Sequence, residues 1–148
     1  MLVLNHTEKG GLCMDRNNFE LLCQGDSRIL KINAQRGEKY VVEAGSMVAM
    51  TPVFDLNIKA GGFGKMLGRV VSGETLTLQE YKALDEGELL LAPTYSGDIM
   101  SVDVGQKQYR ISNGNFLACE STVELNAKAK VKGIFGSGEG IFYFNYIR

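Results

Sequence analysis

The stretch YVVEAGSMVA at residues 40–49 returns as YRISNGNFLA at residues 109–118, with Tyr, Gly and Ala at the same places. The offset of 69 positions holds through Asp55-Leu56-Asn57 and Glu124-Leu125-Asn126. Four residues then drop out, and SGE at 72–74 matches SGE at 137–139 at an offset of 65, which places Tyr81 opposite Tyr146. The sequence therefore predicts two diverged copies of one unit that share a core.

Around this repeat, short runs of β-branched, leucine and aromatic residues recur about every ten residues. Several alternate with period two: Val123, Leu125 and Ala127 oppose the polar residues between them. Eighteen glycines and two prolines favour many tight turns between strands that keep their hydrogen bonds. The pattern predicts an all-β chain, an antiparallel β-sandwich resembling a double-stranded β-helix, with repeat units at about 29–83 and 99–148.

A length of 148 residues fits one domain, which we place at residues 19–148 after a loosely held N-terminal lead at 1–18. The net charge of −1 argues against binding to duplex nucleic acid. Three cysteines form no CxxC pair, and Cys23 and Cys119 are expected to be small apolar residues within strands. With no signal sequence or membrane-length apolar run, the expected location is cytoplasmic.

Histidine usage argues against the common catalytic and metal sites. The single histidine, His6, lies in the lead, so a His-rich metal site or a Ser-His-Asp triad has no histidine in the core. The glycine loop at 60–74 matches neither a phosphate loop nor a dinucleotide motif, because residues 59 and 67 are Lys and Leu. We expect no enzyme activity, no cofactor and no metal.

The same glycine loop suggests an interaction surface. Four of its apolar residues have helical spacing, and two basic residues flank them on the other side. Such a segment can dock on an anionic membrane surface or a partner groove, or it can close one end of the sandwich. The apolar residues are Phe63, Met66, Leu67 and Val70, and the basic ones are Lys65 and Arg69.

A second surface is predicted at Lys128, Lys130 and Lys132, which alternate along one strand. They can form a track for single-stranded nucleic acid, or they can protect a solvated edge strand.

Six further residues are predicted to shape turns. Gly45 and Gly114 occupy equivalent turns, and Gly73, Glu74, Gly138 and Glu139 belong to the two SGE boxes. Each glutamate can accept hydrogen bonds from its glycine turn. An acid–base pair is the alternative for the two carboxylates.

Six motifs lie within residues 19–148: EAGSMVAM (43–50), the loop from Gly61 to Gly68, SGET (72–75), LAPTYSGDI (91–99), NGNFLA (113–118) and GIFGSGEGIF (133–142). As a set they resemble the altered-inheritance-of-mitochondria protein family. The resemblance implies a β-sandwich related to the fold of the trp RNA-binding attenuation protein, usually assembled into oligomers. For mitochondrial members it implies a part in inner-membrane organisation, and it implies no catalytic residue.

The run GIFYFNYI at 140–147 is apolar on both strand faces. Family members usually continue beyond it, so we expect another part of the chain or a second subunit to cover it, which favours a homo-oligomer. The predicted function is a non-enzymatic, self-associating scaffold or interaction protein that contacts a macromolecule or a membrane surface. A small-molecule-binding module and a single-stranded RNA-binding protein are the alternatives.

Overall fold

The computed structural model describes residues 2–5, 18–23, 28–59, 78–104, 109–112, 114–127 and 141–146. These residues form β-strands and turns, with no helix among them. The strands are β1 (Leu2–Asn5), β2 (Phe19–Leu22), β3 (Ile29–Ala34), β4 (Lys39–Glu43), β5 (Met47–Met50), β6 (Phe54–Lys59), β7 (Leu78–Ala83), β8 (Gly87–Leu91), β9 (Met100–Asp103), β10 (Tyr109–Ser112), β11 (Phe116–Glu120), β12 (Val123–Ala127) and β13 (Ile141–Tyr146).

The strands hydrogen-bond into three sheets. A six-stranded sheet has the order β6-β7-β4-β11-β1-β9, a four-stranded sheet the order β2-β3-β8-β5, and a three-stranded sheet the order β10-β13-β12. The pairs made by β1 are parallel and the remaining pairs are antiparallel. The predicted fold class, an all-β sandwich, is confirmed.

The six-stranded sheet packs against both other sheets. Period-two alternation sends Val42 into a core shared with β3 and β8, and its neighbour Val41 into a second core shared with β10 and β12. Strand β4 is therefore apolar at three consecutive positions, Tyr40 to Val42, all of them buried. A strand covered on both faces requires this continuous apolar pattern.

The two units repeat one pairing pattern. In the first unit β7 lies between β4 and β6, and in the second β13 lies between β10 and β12. Tyr40 pairs with Tyr81, and its equivalent Tyr109 pairs with Phe144. The structural offset of the last strand is thus 63 positions, so the predicted match of Tyr81 to Tyr146 is wrong by two residues. Because the error is an even number of residues, it leaves the strand faces unchanged.

The other half of each unit is also repeated. In the four-stranded sheet β8 lies between β3 and β5, whereas in the six-stranded sheet β1 lies between β9 and β11. Strand β8 runs antiparallel to its neighbours and β1 runs parallel to them. The ladder skips Val48 in β5 and its equivalent Leu117 in β11, so both strands carry a bulge at the same place.

The structure differs from two expectations drawn from the sequence, one for residues 2–5 and one for Cys23. Residues 2–5, expected in a loosely held lead, form β1 inside the six-stranded sheet. Cys119 is buried in β11 as expected, but Cys23 is exposed, with a φ of 65°, just after β2 ends. Within the ranges that the structure describes, no helix is long and apolar enough to cross a membrane.

Candidate interaction edge

Strand β5 is an apolar strand at the edge of the four-stranded sheet. Among the described residues its hydrogen-bonded neighbour is β8, on one side. Met47, Val48 and Met50 are 39%, 54% and 37% exposed, and Ala49 between them is also exposed. A strand with apolar side chains and an open row of backbone groups is a template for pairing with a further strand.

The backbone at both ends of β5 is held in place. Gly45 has a φ of 88°, a left-handed conformation that glycine adopts without strain, in the turn that leads from β4 to β5. The Ala92 N–H then donates to the Ser46 carbonyl at 2.8 Å, and the Thr51 N–H donates to the Glu88 carbonyl at 3.0 Å. The open edge is thus a fixed part of the scaffold.

Two buried polar atoms lie at the start of this edge. The Ser46 hydroxyl and Oε2 of Glu43 have no hydrogen-bond partner among the described residues, and Ser46 is almost completely buried. Burial raises the pKa of the Glu43 carboxyl above its usual range. An unpaired buried polar group costs free energy, so these two atoms oppose folding at a turn whose backbone is hydrogen-bonded.

The equivalent strand of the second unit, β11, is buried. Phe116, Leu117, Ala118 and Cys119 stand at the positions of Met47 to Met50 and are at most 1% exposed. Strand β11 has two neighbours, β1 on one side and β4 on the other. Burial also raises the pKa of the Cys119 thiol far above its usual range, which disfavours the reactive thiolate.

A second open edge belongs to β10. It lies at the end of the three-stranded sheet, and β13 is its neighbour among the described residues. Its equivalent in the first unit, β4, has two neighbours, β7 and β11. Both open edges therefore lack one neighbour that the corresponding strand of the other unit possesses.

A polar cluster around Glu38, within the described part of the chain, is structural. The Glu38 carboxylate accepts hydrogen bonds from the Tyr40 hydroxyl at 2.6 Å, the Gln35 N–H at 2.7 Å and Asn18 Nδ2 at 3.2 Å. Burial and this carboxylate together raise the pKa of Tyr40 far above its usual range. The cluster ties the β3–β4 turn to the residue before β2 and leaves the carboxylate fully engaged.

Of the residues predicted from sequence to form sites or turns, the structure describes Gly45 and Gly114. Both have positive φ, 88° and 79°, and a Cβ at either place would meet nothing within 4 Å. The others lie outside the described residues: Phe63, Lys65, Met66, Leu67, Arg69, Val70, Gly73, Glu74, Lys128, Lys130, Lys132, Gly138 and Glu139.

The apolar run at residues 140–147 was expected to be covered by another part of the chain or by a second subunit, and at its two strand edges the first alternative holds. Strand β13, from the run GIFYFNYI, pairs with β10 on one side and β12 on the other. The open apolar strand is β5, from MVAM at residues 47–50. The sequence signal for β5 was its run of four apolar residues without polar alternation, because such a run indicates a strand that is buried on both faces.

Three comparisons bear on the family. The family model described as mitochondrial biogenesis AIM24 matches residues 19–146. An uncharacterized protein of Streptococcus pyogenes serotype M6 is 30% identical over an alignment that covers 93% of this chain and 60% of the relative. The crystal structure of the Streptococcus pyogenes protein SPYM3_0169 superimposes with a TM-score of 0.69 at 28% identity, and the match covers 87% of this chain and 60% of that one.

The chain thus spans about 60% of the length of both relatives. Because the family model covers most of the chain and the fold is shared with a solved relative, the chain belongs to the mitochondrial biogenesis AIM24 family.

Proposed function

We propose that this chain is a non-enzymatic scaffold that associates with itself through the β5 edge. The observation that carries the proposal is the exposure of four consecutive apolar residues on an open strand whose equivalent in the same molecule is buried. Soluble proteins normally protect such edges with charges or covering loops. The bulge of β5 also occurs in β11, which nevertheless pairs on both sides. An apolar edge left open on a rigid sheet favours association with another strand.

Two other sheet edges, β6 and β2, support the choice of β5. Strand β6 places the polar residues Asp55 and Asn57 at exposed positions beside Leu56. Strand β2, at the opposite edge of the four-stranded sheet, exposes Glu20. Charged or polar side chains at an edge disfavour pairing with another sheet. Strand β5 carries no charged residue.

In this proposal the chain forms a homo-oligomer in the cytoplasm, and its glycine-rich loops contact a membrane surface or a macromolecular partner. Multiple copies matter for this role because one short basic loop binds weakly, whereas an oligomer presents several copies at once. The relation to the trp RNA-binding attenuation protein fold, which the family resemblance implies, is part of the same proposal.

Sedimentation equilibrium over a range of protein concentrations tests the self-association. The wild-type chain is expected to associate reversibly. Met50→Lys should weaken association at least about tenfold, because it places a charge where the contact excludes water. Met100→Lys is the matched control, since Met100 is an exposed methionine on β9, at the edge of another sheet, and it should leave association unchanged.

Two results would contradict the proposal. One is a wild-type chain that stays monomeric up to about 1 mM. The other is an equal effect of the two methionine substitutions, which would move the contact away from β5.

A further inference from the structure

We infer that the strand seated on β5 is β10 of a second copy of this chain, antiparallel and in a defined register. The inference rests on the proposed self-association and specifies its contact. The molecule contains its own template for this contact, the antiparallel pairing of β11 with β4 that joins the two units.

The template fixes the register. Within the molecule Ala118 lies opposite Val42, Cys119 opposite Val41, and Glu120 opposite Tyr40. Each of these residues has an equivalent in the other unit, 69 positions away in the sequence. Substituting the equivalents into this register gives the register of the contact between two copies. Ala49 then lies opposite Ile111 of the second copy, Met50 opposite Arg110 of the second copy, and Thr51 opposite Tyr109 of the second copy.

The composite sheet reproduces an observed one. Joining β10 of one copy to β5 of another gives the order β12-β13-β10-β5-β8-β3. The six-stranded sheet has the order β6-β7-β4-β11-β1-β9, in which every strand is the positional equivalent of its counterpart in the composite. The two partial sheets are therefore the two halves of a sheet that the fold already builds once.

The two open edges also complement each other. Among the described residues β5 lacks the neighbour that β4 provides to β11, and β10 lacks the neighbour that β11 provides to β4. Joining them gives both strands the missing neighbour. The bulge shared by β5 and β11 further means that β5 presents its residues to a partner in the same way.

This contact is heterologous, because it uses different surfaces of the two copies. Each copy offers one β5 and one β10, so the assembly either closes into a ring or extends as a filament. A symmetric β5-to-β5 contact is a different arrangement, which the following experiment separates.

Disulfide trapping between two variants tests the contact. In the full chain, Cys13 and Cys23 are replaced by Ser, and buried Cys119 is kept. One variant carries Met50→Cys and the other Arg110→Cys. Directly opposed antiparallel residues have Cα atoms about 4.5–5.5 Å apart, which suits a disulfide. Mild oxidation of the mixture should yield the heterodimer at least about tenfold faster than a mixture of Met100→Cys with Arg110→Cys.

Sedimentation of the same variants, with circular dichroism to verify folding, separates the two proposals. Association without preferential trapping of Met50→Cys by Arg110→Cys would overturn the β5–β10 contact and leave self-association standing. Fast trapping of Met50→Cys with itself would indicate the symmetric contact and would also overturn it. Variants and wild type that remain monomeric would contradict both proposals.

Discussion

Strands β5 and β11 occupy the same place in the two units, yet one is exposed and the other buried. Both follow a glycine turn with positive φ, both carry a bulge at the second residue, and both are apolar over four residues. They differ in their neighbours, since β11 lies between β1 and β4 whereas β5 has β8 alone among the described strands. Burial here is decided by the surroundings of the strand, because the local pattern is shared.

The largest difference is expected at the equivalent bulge residues. Leu117 is 0% exposed and Val48 is 54% exposed. Leu117→Ala should lower the free energy of unfolding by about 3 kcal/mol, because it leaves a cavity in the core. Val48→Ala should change it by less than about 0.5 kcal/mol in dilute solution. Urea unfolding at low protein concentration measures both, and equal losses would contradict the assignment of β5 as an open strand.

The next effect concerns the tyrosines of β4 and β10. Tyr40→Phe removes a hydrogen bond to the charged Glu38 and should cost about 1.5–2 kcal/mol. At Tyr109 the residue equivalent to Glu38 is Lys107, so no carboxylate stands at that position of the sequence. Tyr109→Phe should therefore cost less than about 0.5 kcal/mol. Thermal unfolding compares them, and a reversed order would be inconsistent with the Glu38 cluster as a structural anchor.

The two glycine turns should behave alike. Gly45→Ala and Gly114→Ala each force a side chain into a left-handed conformation, while neither new Cβ meets a neighbour. Each should therefore cost about 1 kcal/mol, from backbone strain alone. Unfolding curves that differ by more than about 1 kcal/mol between the two variants would show that the turns are not equivalent.

The smallest effect is a pH dependence at Glu43. Its pKa is raised in the folded state, so folding is disfavoured when the carboxyl ionises, above the folded-state pKa. The penalty falls away as the pH drops through the folded pKa towards the unfolded value of about 4.3. Glu43→Gln should stabilise the fold by less than about 1 kcal/mol at neutral pH, since solvent screens this half-buried group. The stabilisation should shrink on acidification. If the variant and the wild type differ in stability by the same amount across this pH range, ionisation of Glu43 is not the source of the difference.

Much of the fold follows from local patterns. The repeat at residues 40–49 and 109–118 and the period-two runs were sufficient to predict a β-sandwich of two units. The match of Tyr81 to Tyr146 failed because the two units differ in length after their SGE boxes. Tyr81 follows its box by two more residues than its structural equivalent Phe144 does. The position of β1 in the six-stranded sheet could not be predicted from the residues LVLN, because its partners β9 and β11 are distant in sequence.

The interaction edge was harder to predict for a related reason. MVAM at 47–50 and FLACE at 116–120 are both apolar runs, and nothing within either run states how many neighbours the strand has. Sequence indicated that residues 140–147 need covering strands, which β10 and β12 of the same chain provide. The open edge of β5 depends on non-local pairing, so it could not be predicted from its own run.

Hydrogen exchange of the backbone amides, measured in dilute and in concentrated protein, tests most directly whether β5 is an unpaired copy of β11. Exchange in β5 and β10 should slow together, at least about tenfold, as the chains associate, while exchange in β11 and β4 stays slow throughout. If the chains assemble and β5 exchanges as before, or if β5 in the dilute monomer is as protected as β11, then β5 is not an unpaired copy of β11.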